Sequence, residues 1–181
     1  LALASAAAIF GASSASAASF ELWNGSAWVN SGSVSFTGPT SATYIGNSVP
    51  CDATFNVTVS GGAASVTSAS FAGSAACSGI VAYNLAWPMT PGAYSGANPP
   101  FTGAPTLTPT LWSVGISGVR IYIPSPLNVY CPSSTGTGTV NGVLDSAGPN
   151  RFVFKATLGP CGVQTRAGGA LTASVPVRVV P

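Results

Sequence analysis

The four cysteines constrain this chain more than any other residues. Cys51, Cys77, Cys131 and Cys161 are widely spaced and the sequence has no histidine, so zinc-site spacing is missing. What lies between them is informative. Cys51 leads into "DATFNVTVSGGAASVTSASFAGSAAC", where apolar and polar residues alternate up to two glycines and then return. Between Cys131 and Cys161, "TGTVNGVL" and "RFVFKATLG" flank the turn "DSAGPN" in the same way. Folding each segment about its turn brings its cysteines to one end. This favours Cys51–Cys77 and Cys131–Cys161 among the three possible pairings. Loops of this size stabilise a fold by about 3–4 kcal/mol each in the chain-entropy picture. Such staples imply an oxidising compartment, so the expected location is secreted, either extracellular or at the cell surface.

The alternation also exposes an unusual surface. Thr54, Asn56, Thr58 and Ser60 fall on the outward side of the first hairpin, and none is charged. The whole chain is like this, with 5 basic and 3 acidic residues among 181, or 4% against about 25% in ordinary domains. A net charge of +2, thinly scattered, excludes a nucleic-acid footprint. Hydrophobic residues make up 46%, enough to fill a core, so disorder is not expected. With 22 glycines and 15 prolines the chain is rich in turns and poor in helix. Scarce charge removes the usual protection against self-association, so the chain is expected to live in a matrix or to pack against copies of itself.

Residues 1–17, "LALASAAAIFGASSASA", resemble the later part of a secretory signal peptide, with Ala15–Ser16–Ala17 as the cleavage site. They are too short and too rich in serine and alanine for a membrane span. If retained, they are a donor-strand candidate, with Leu1, Leu3, Ile9 and Phe10 as its apolar contacts. Residues 18–181 read as a single domain. Strand candidates at 20–23, 27–29, 31–36 and 42–45 are separated by "NG", "GP" and "GN" turns, and the first stapled hairpin follows. The stretch 87–112, "WPMTPGAYSGANPPFTGAPTLTPTLW", holds six prolines and reads as mostly loop or edge structure. Its Trp87, Tyr94, Phe101 and Trp112 are expected to cap one end of the core, the alternative being an exposed contact surface. Strands resume at 111–123, with Gly115 and Gly118 as bulge candidates. Valines 175, 177 and 179 alternate in an edge strand at the end. Some ten short strands at regular spacing predict an all-β, two-sheet sandwich, immunoglobulin-like or related, with disulfide-stapled hairpins.

Chemistry is scarce. Without histidine, Ser–His–Asp and Cys–His constellations are excluded. The only carboxylates, Glu21, Asp52 and Asp145, are far apart in sequence, and Asp145 opens a turn its side chain can hold. No catalytic residue, metal ligand or cofactor is expected, and the chain does not read as an enzyme.

Several stretches carry a resemblance: "VPCDATFNVTVSGGAASVTSASFAGSAAC", the Trp-Pro of "NLAWPMT", the Gly-Pro-Cys of "TLGPC" and the ending "LTASVPVRVVP". From about residue 34 to 181 the chain looks like the PraB-type, alkane-oxidation-activator proteins of bacteria. The proline-rich middle is longer here than in that pattern. The resemblance implies a small secreted protein associated with the cell surface and with growth on apolar carbon sources. Two functions are therefore expected to compete. One is a subunit of an extracellular filament or biofilm matrix, self-associating by strand donation. The other is a surface-active or adhesive module that binds apolar substrates such as hydrocarbon.

Overall fold

Both glycines at the tip of the first stapled hairpin have positive φ, +58° at Gly61 and +83° at Gly62, as a two-residue type I′ turn requires. From that turn the architecture can be followed outward. The computed structural model describes residues 17–146 and 148–181. Near the N-terminus lie strands β1 (Ser19–Trp23) and β2 (Trp28–Val29). Next come β3 (Gly32–Tyr44), β4 (Asn47–Ser60) and β5 (Ala63–Ala72), then helix α1 (Ala75–Ser78). The middle holds β6 (Val81–Tyr83), β7 (Trp87–Ala93), β8 (Leu111–Ile123) and β9 (Val129–Cys131). The last strands are β10 (Gly138–Asp145), β11 (Arg151–Leu158), β12 (Cys161–Thr165), β13 (Leu171–Ala173) and β14 (Val177–Val180).

The all-β expectation holds, but the two-sheet sandwich does not. Strands β10-β11-β12-β3-β4-β5-β7-β8 hydrogen-bond in that order, and β8 pairs back onto β10, closing an antiparallel barrel of eight strands. Inward–outward alternation is identical in a sandwich and a barrel. What decides between them is that β8 has barrel partners on both edges, β7 over Ala93–Met89 and β10 over Asp145–Gly138. The position between β11 and β3 is shared, with β12 filling one half and β13 the other. The β8–β10 ladder slips by one residue between Ile116 and Val119. Gly118 sits there with φ +74°, so it marks the anticipated bulge, while Gly115 lies in a regular stretch of ladder.

One further sequence reading is corrected, and a second is refined. The "GP" at Gly38-Pro39 does not separate two strands but runs through the middle of β3. The stretch 87–112 is not all loop or edge: Trp87–Ala93 is a barrel strand despite Pro88 and Pro91, and Leu111 and Trp112 open β8. The β7 ladder to β5 is only three positions long, Val66↔Trp87 to Ala64↔Met89, so Pro91 lies beyond it.

A small sheet, β14-β1-β2, covers the barrel end at the β4–β5 turn, where the Phe20 amide donates to the Gly62 carbonyl. Its inner face buries Phe20, Leu22, Val177 and Val179 in the main core. β14 is an edge strand, as read from its valines. At the other end, β8 runs on past the barrel and is flanked by β6 and β9. The disulfides are Cys51–Cys77 and Cys131–Cys161, with Cα separations of 5.7 and 5.8 Å, the pairing the hairpins favoured.

Candidate functional site

Every second residue of each barrel strand points inward, and in this sequence those residues are almost all apolar. Phe36, Val57, Val66, Trp87, Val114, Leu144, Phe152 and Leu158 are buried and face the interior. The inward hydroxyls return their hydrogen bonds to the wall: Thr40 donates to the Cys51 carbonyl (3.2 Å) and Thr165 to the Phe154 carbonyl (3.4 Å). Packing is not complete. A cavity of about 90 Å³ runs among these side chains, several times the roughly 10–15 Å³ that admits one water. Gly142 shapes it, because a Cβ there would lie 2.3 Å from the Phe152 ring.

One seam in the wall is thin. Beyond Val66, β5 loses its ladder to β7, so Ser68–Ala72 pairs only with β4 among the described residues. A bulge at Thr67 precedes this point, and the Thr67 hydroxyl donates to the Asn56 carbonyl (3.2 Å). Phe71 and Ile80 line the cavity here and are only half-buried. Phe71 meets Phe55 edge-on at 5.8 Å and 85°.

The proline-rich segment has a different task. Tyr94 and Phe101 pack with Leu107 over the outward faces of Val143 and Val153, forming a second core outside the barrel. Asn98 clamps this segment, donating to the Leu107 carbonyl (2.7 Å) and accepting from its amide (2.9 Å). Asp145, fully buried, accepts from the Arg151 amide (2.7 Å) and Nε (3.1 Å), and Arg151 reaches the Thr106 carbonyl (3.0 Å). Asp145 therefore holds its turn, as its place in "DSAGPN" implied. Trp87 is part of the main core, its Nε1 donating to the Tyr83 carbonyl (2.7 Å), and Trp112 packs half-buried against that core. The four aromatics are thus divided between two cores. Leu1, Leu3, Ile9 and Phe10 lie outside the described residues.

Outside the barrel, the uncharged surface is an ordered lattice. The Ser35 hydroxyl donates to Asn56 Oδ1 (2.6 Å), Asn56 Nδ2 donates to Ser68 (2.7 Å), and Thr37 bonds Thr54 (3.1 Å). The carboxylates sit on three different strands, each against its own arginine: Glu21–Arg178, Asp52–Arg166 and Asp145–Arg151. Among the described residues there is no cluster of three or more metal-ligating side chains, and no helix is long and apolar enough to cross a membrane.

A feature that sequence reasoning missed lies on the outer face of β6-β8-β9. Tyr122 and Tyr130 are cross-strand partners with ring centres 4.7 Å apart, Tyr83 lies 6.2 Å from Tyr130, and the Arg120 guanidinium stands 4.7 Å over Tyr83. Desolvation among these groups, then the Tyr130 phenol, pushes the Tyr83 hydroxyl above the ordinary tyrosine value, with Arg120 partly offsetting the rise. Tyr122 and Tyr130 meet across the local β8–β9 pair, and the β6–β8 pairing brings in the distant Tyr83.

The family model described as alkane oxidation protein activator PraA/PraB-like matches residues 1–181. This chain belongs to the PraA/PraB-like family. The match covers all of the sequence, including the proline-rich segment that departs from the pattern noted above. No curated protein and no solved structure matches the chain. For this PraA/PraB-like chain, then, the family name points to a role linked to the activation of alkane oxidation.

Proposed function

We propose that this protein is a non-catalytic, secreted binder of small apolar molecules, and that it takes a hydrocarbon chain into the barrel interior. The observation that carries this reading is the cavity of about 90 Å³ bounded almost wholly by apolar side chains, with the Thr40 hydroxyl on its lining already bonded to the Cys51 carbonyl. Eight-stranded barrels are just wide enough to be filled by side chains or to hold one small ligand. An apolar void of this kind stays dry and takes hydrocarbon guests. The thin seam at Ser68–Ala72 supplies a way in that leaves the other ladders intact. The family name adds the substrate class, alkanes. Such a protein favours alkane oxidation by carrying or solubilising the hydrocarbon, which needs no reactive side chain. Barrel closure pairs most of the main sheet on both sides and leaves the short β5 run Ser68–Ala72 open among the described residues, and the apolar cavity behind that run supports binding.

The test is a titration with a fluorescent apolar probe such as N-phenyl-1-naphthylamine, followed by competition with n-alkanes. The expected result is saturable one-to-one binding that n-alkanes displace. A folded protein whose probe signal grows without saturating, or ignores added alkane, would overturn the proposal.

A further inference from the structure

The pairing of charges leaves a remainder. Three acids face five bases, and each acid is committed to one arginine. Arg120 and Lys155 are left without a carboxylate among the described residues. Lys155 is exposed on the outward side of β11. Arg120 is held in place: its guanidinium lies over Tyr83, Nη1 donates to the Ser134 carbonyl (3.1 Å), and Nε has no partner. Beside it the Tyr122 and Tyr130 rings sit on adjacent strands, and Tyr130 is 37% exposed. Cys131, next to Tyr130, is tied to Cys161, so the platform stands on a braced strand.

We propose that the outer face of β6-β8-β9 is a binding site for an acidic polysaccharide. Sugar rings present flat C–H faces that stack on exposed tyrosines, and the phenol hydroxyls meet the sugar hydroxyls at their rims. A uronate adds a carboxylate, for which a fixed guanidinium is the matching partner. Charge complementarity selects the acidic class: among the described residues this platform holds an unpaired cation and no acid to repel the ligand. A nucleic-acid strand is disfavoured because one cation cannot track a phosphate backbone. The site is on the outer surface and does not depend on the cavity reading.

The test is affinity electrophoresis of the full chain in gels containing polygalacturonate, dextran or poly(dT). The protein is expected to be retarded by polygalacturonate alone. Arg120→Gln and Tyr130→Ala are each expected to weaken the retardation about tenfold, while Lys155→Gln, which removes the same charge elsewhere, leaves it unchanged. Four results would overturn the proposal: no retardation by polygalacturonate, equal retardation by dextran, equal loss in Arg120→Gln and Lys155→Gln, or equal retardation by poly(dT). Melting curves of each variant separate loss of the site from loss of the fold.

Discussion

Where they pair at Gly142–Leu144 and Phe152–Phe154, strands β10 and β11 bury both of their faces, and the two faces behave differently. Outward, Val143 and Val153 are sealed beneath Leu107, Tyr94 and Phe101. Inward, Leu144, Phe152 and Phe154 border a void. Their burial is nearly the same, with Val153 at 0% and Leu144 at 1% exposure, so burial does not tell support from site. Completeness of packing does. The proline-rich segment closes one side of the wall like masonry, whereas the interior keeps space for a guest.

Substitutions on the two faces should therefore separate stability from binding. The largest effect is expected outside the barrel. Leu107→Ala, at 2% exposure, is expected to cost about 2–4 kcal/mol in denaturant unfolding and to leave alkane affinity within twofold. If it abolished binding in the folded state, the two faces would not be independent. Inside, Val114→Phe fills the cavity and is expected to weaken alkane binding at least tenfold, about 1.4 kcal/mol, with a melting temperature within a few degrees of the parent. Unchanged affinity in that variant would place the ligand elsewhere. A smaller effect is expected at the seam, where Phe71→Ala opens the wall. Stopped-flow release of the apolar probe should be several-fold faster there, with less change at equilibrium.

The smallest effect concerns the outer tyrosines. Tyr83 holds its proton more tightly when folded than the unfolded-chain value of 10.0. Its contribution to stability is thus complete below that value and is lost as pH rises through the folded one. Arg120 acts to lower the Tyr83 pKa, so Arg120→Gln should raise it further, which ultraviolet titration of the phenolates can read. A downward move would mean that the guanidinium does not sit over that ring.

How much of this was legible beforehand follows from what each feature depends on. The Cys51–Cys77 and Cys131–Cys161 pairs were readable because each closes a local hairpin whose turn is written in its glycines or in "DSAGPN". The hydroxyl face of β4 was readable from alternation alone. Barrel closure was not, because it depends on β8 meeting β10 and β7 on opposite edges, and alternation along Leu111–Ile123 is the same in either architecture. The strand at Trp87–Ala93 was hidden by Pro88 and Pro91, which argue against a ladder until its brevity is known. The cavity and the tyrosine platform were out of reach for the same reason. A void is a property of side chains from many strands at once, and Tyr83 joins the local pair Tyr122 and Tyr130 only through β8.

The most direct test of the central claim is the position of a bound alkane. Isotope-filtered nuclear Overhauser spectra, taken with saturating n-alkane, should show contacts from the alkane to the methyls of Val66, Val114, Leu144 and Leu158, and none to those of Val143 or Val153. Contacts confined to the outer methyls, or none at all under conditions where the alkane is bound, would contradict the account.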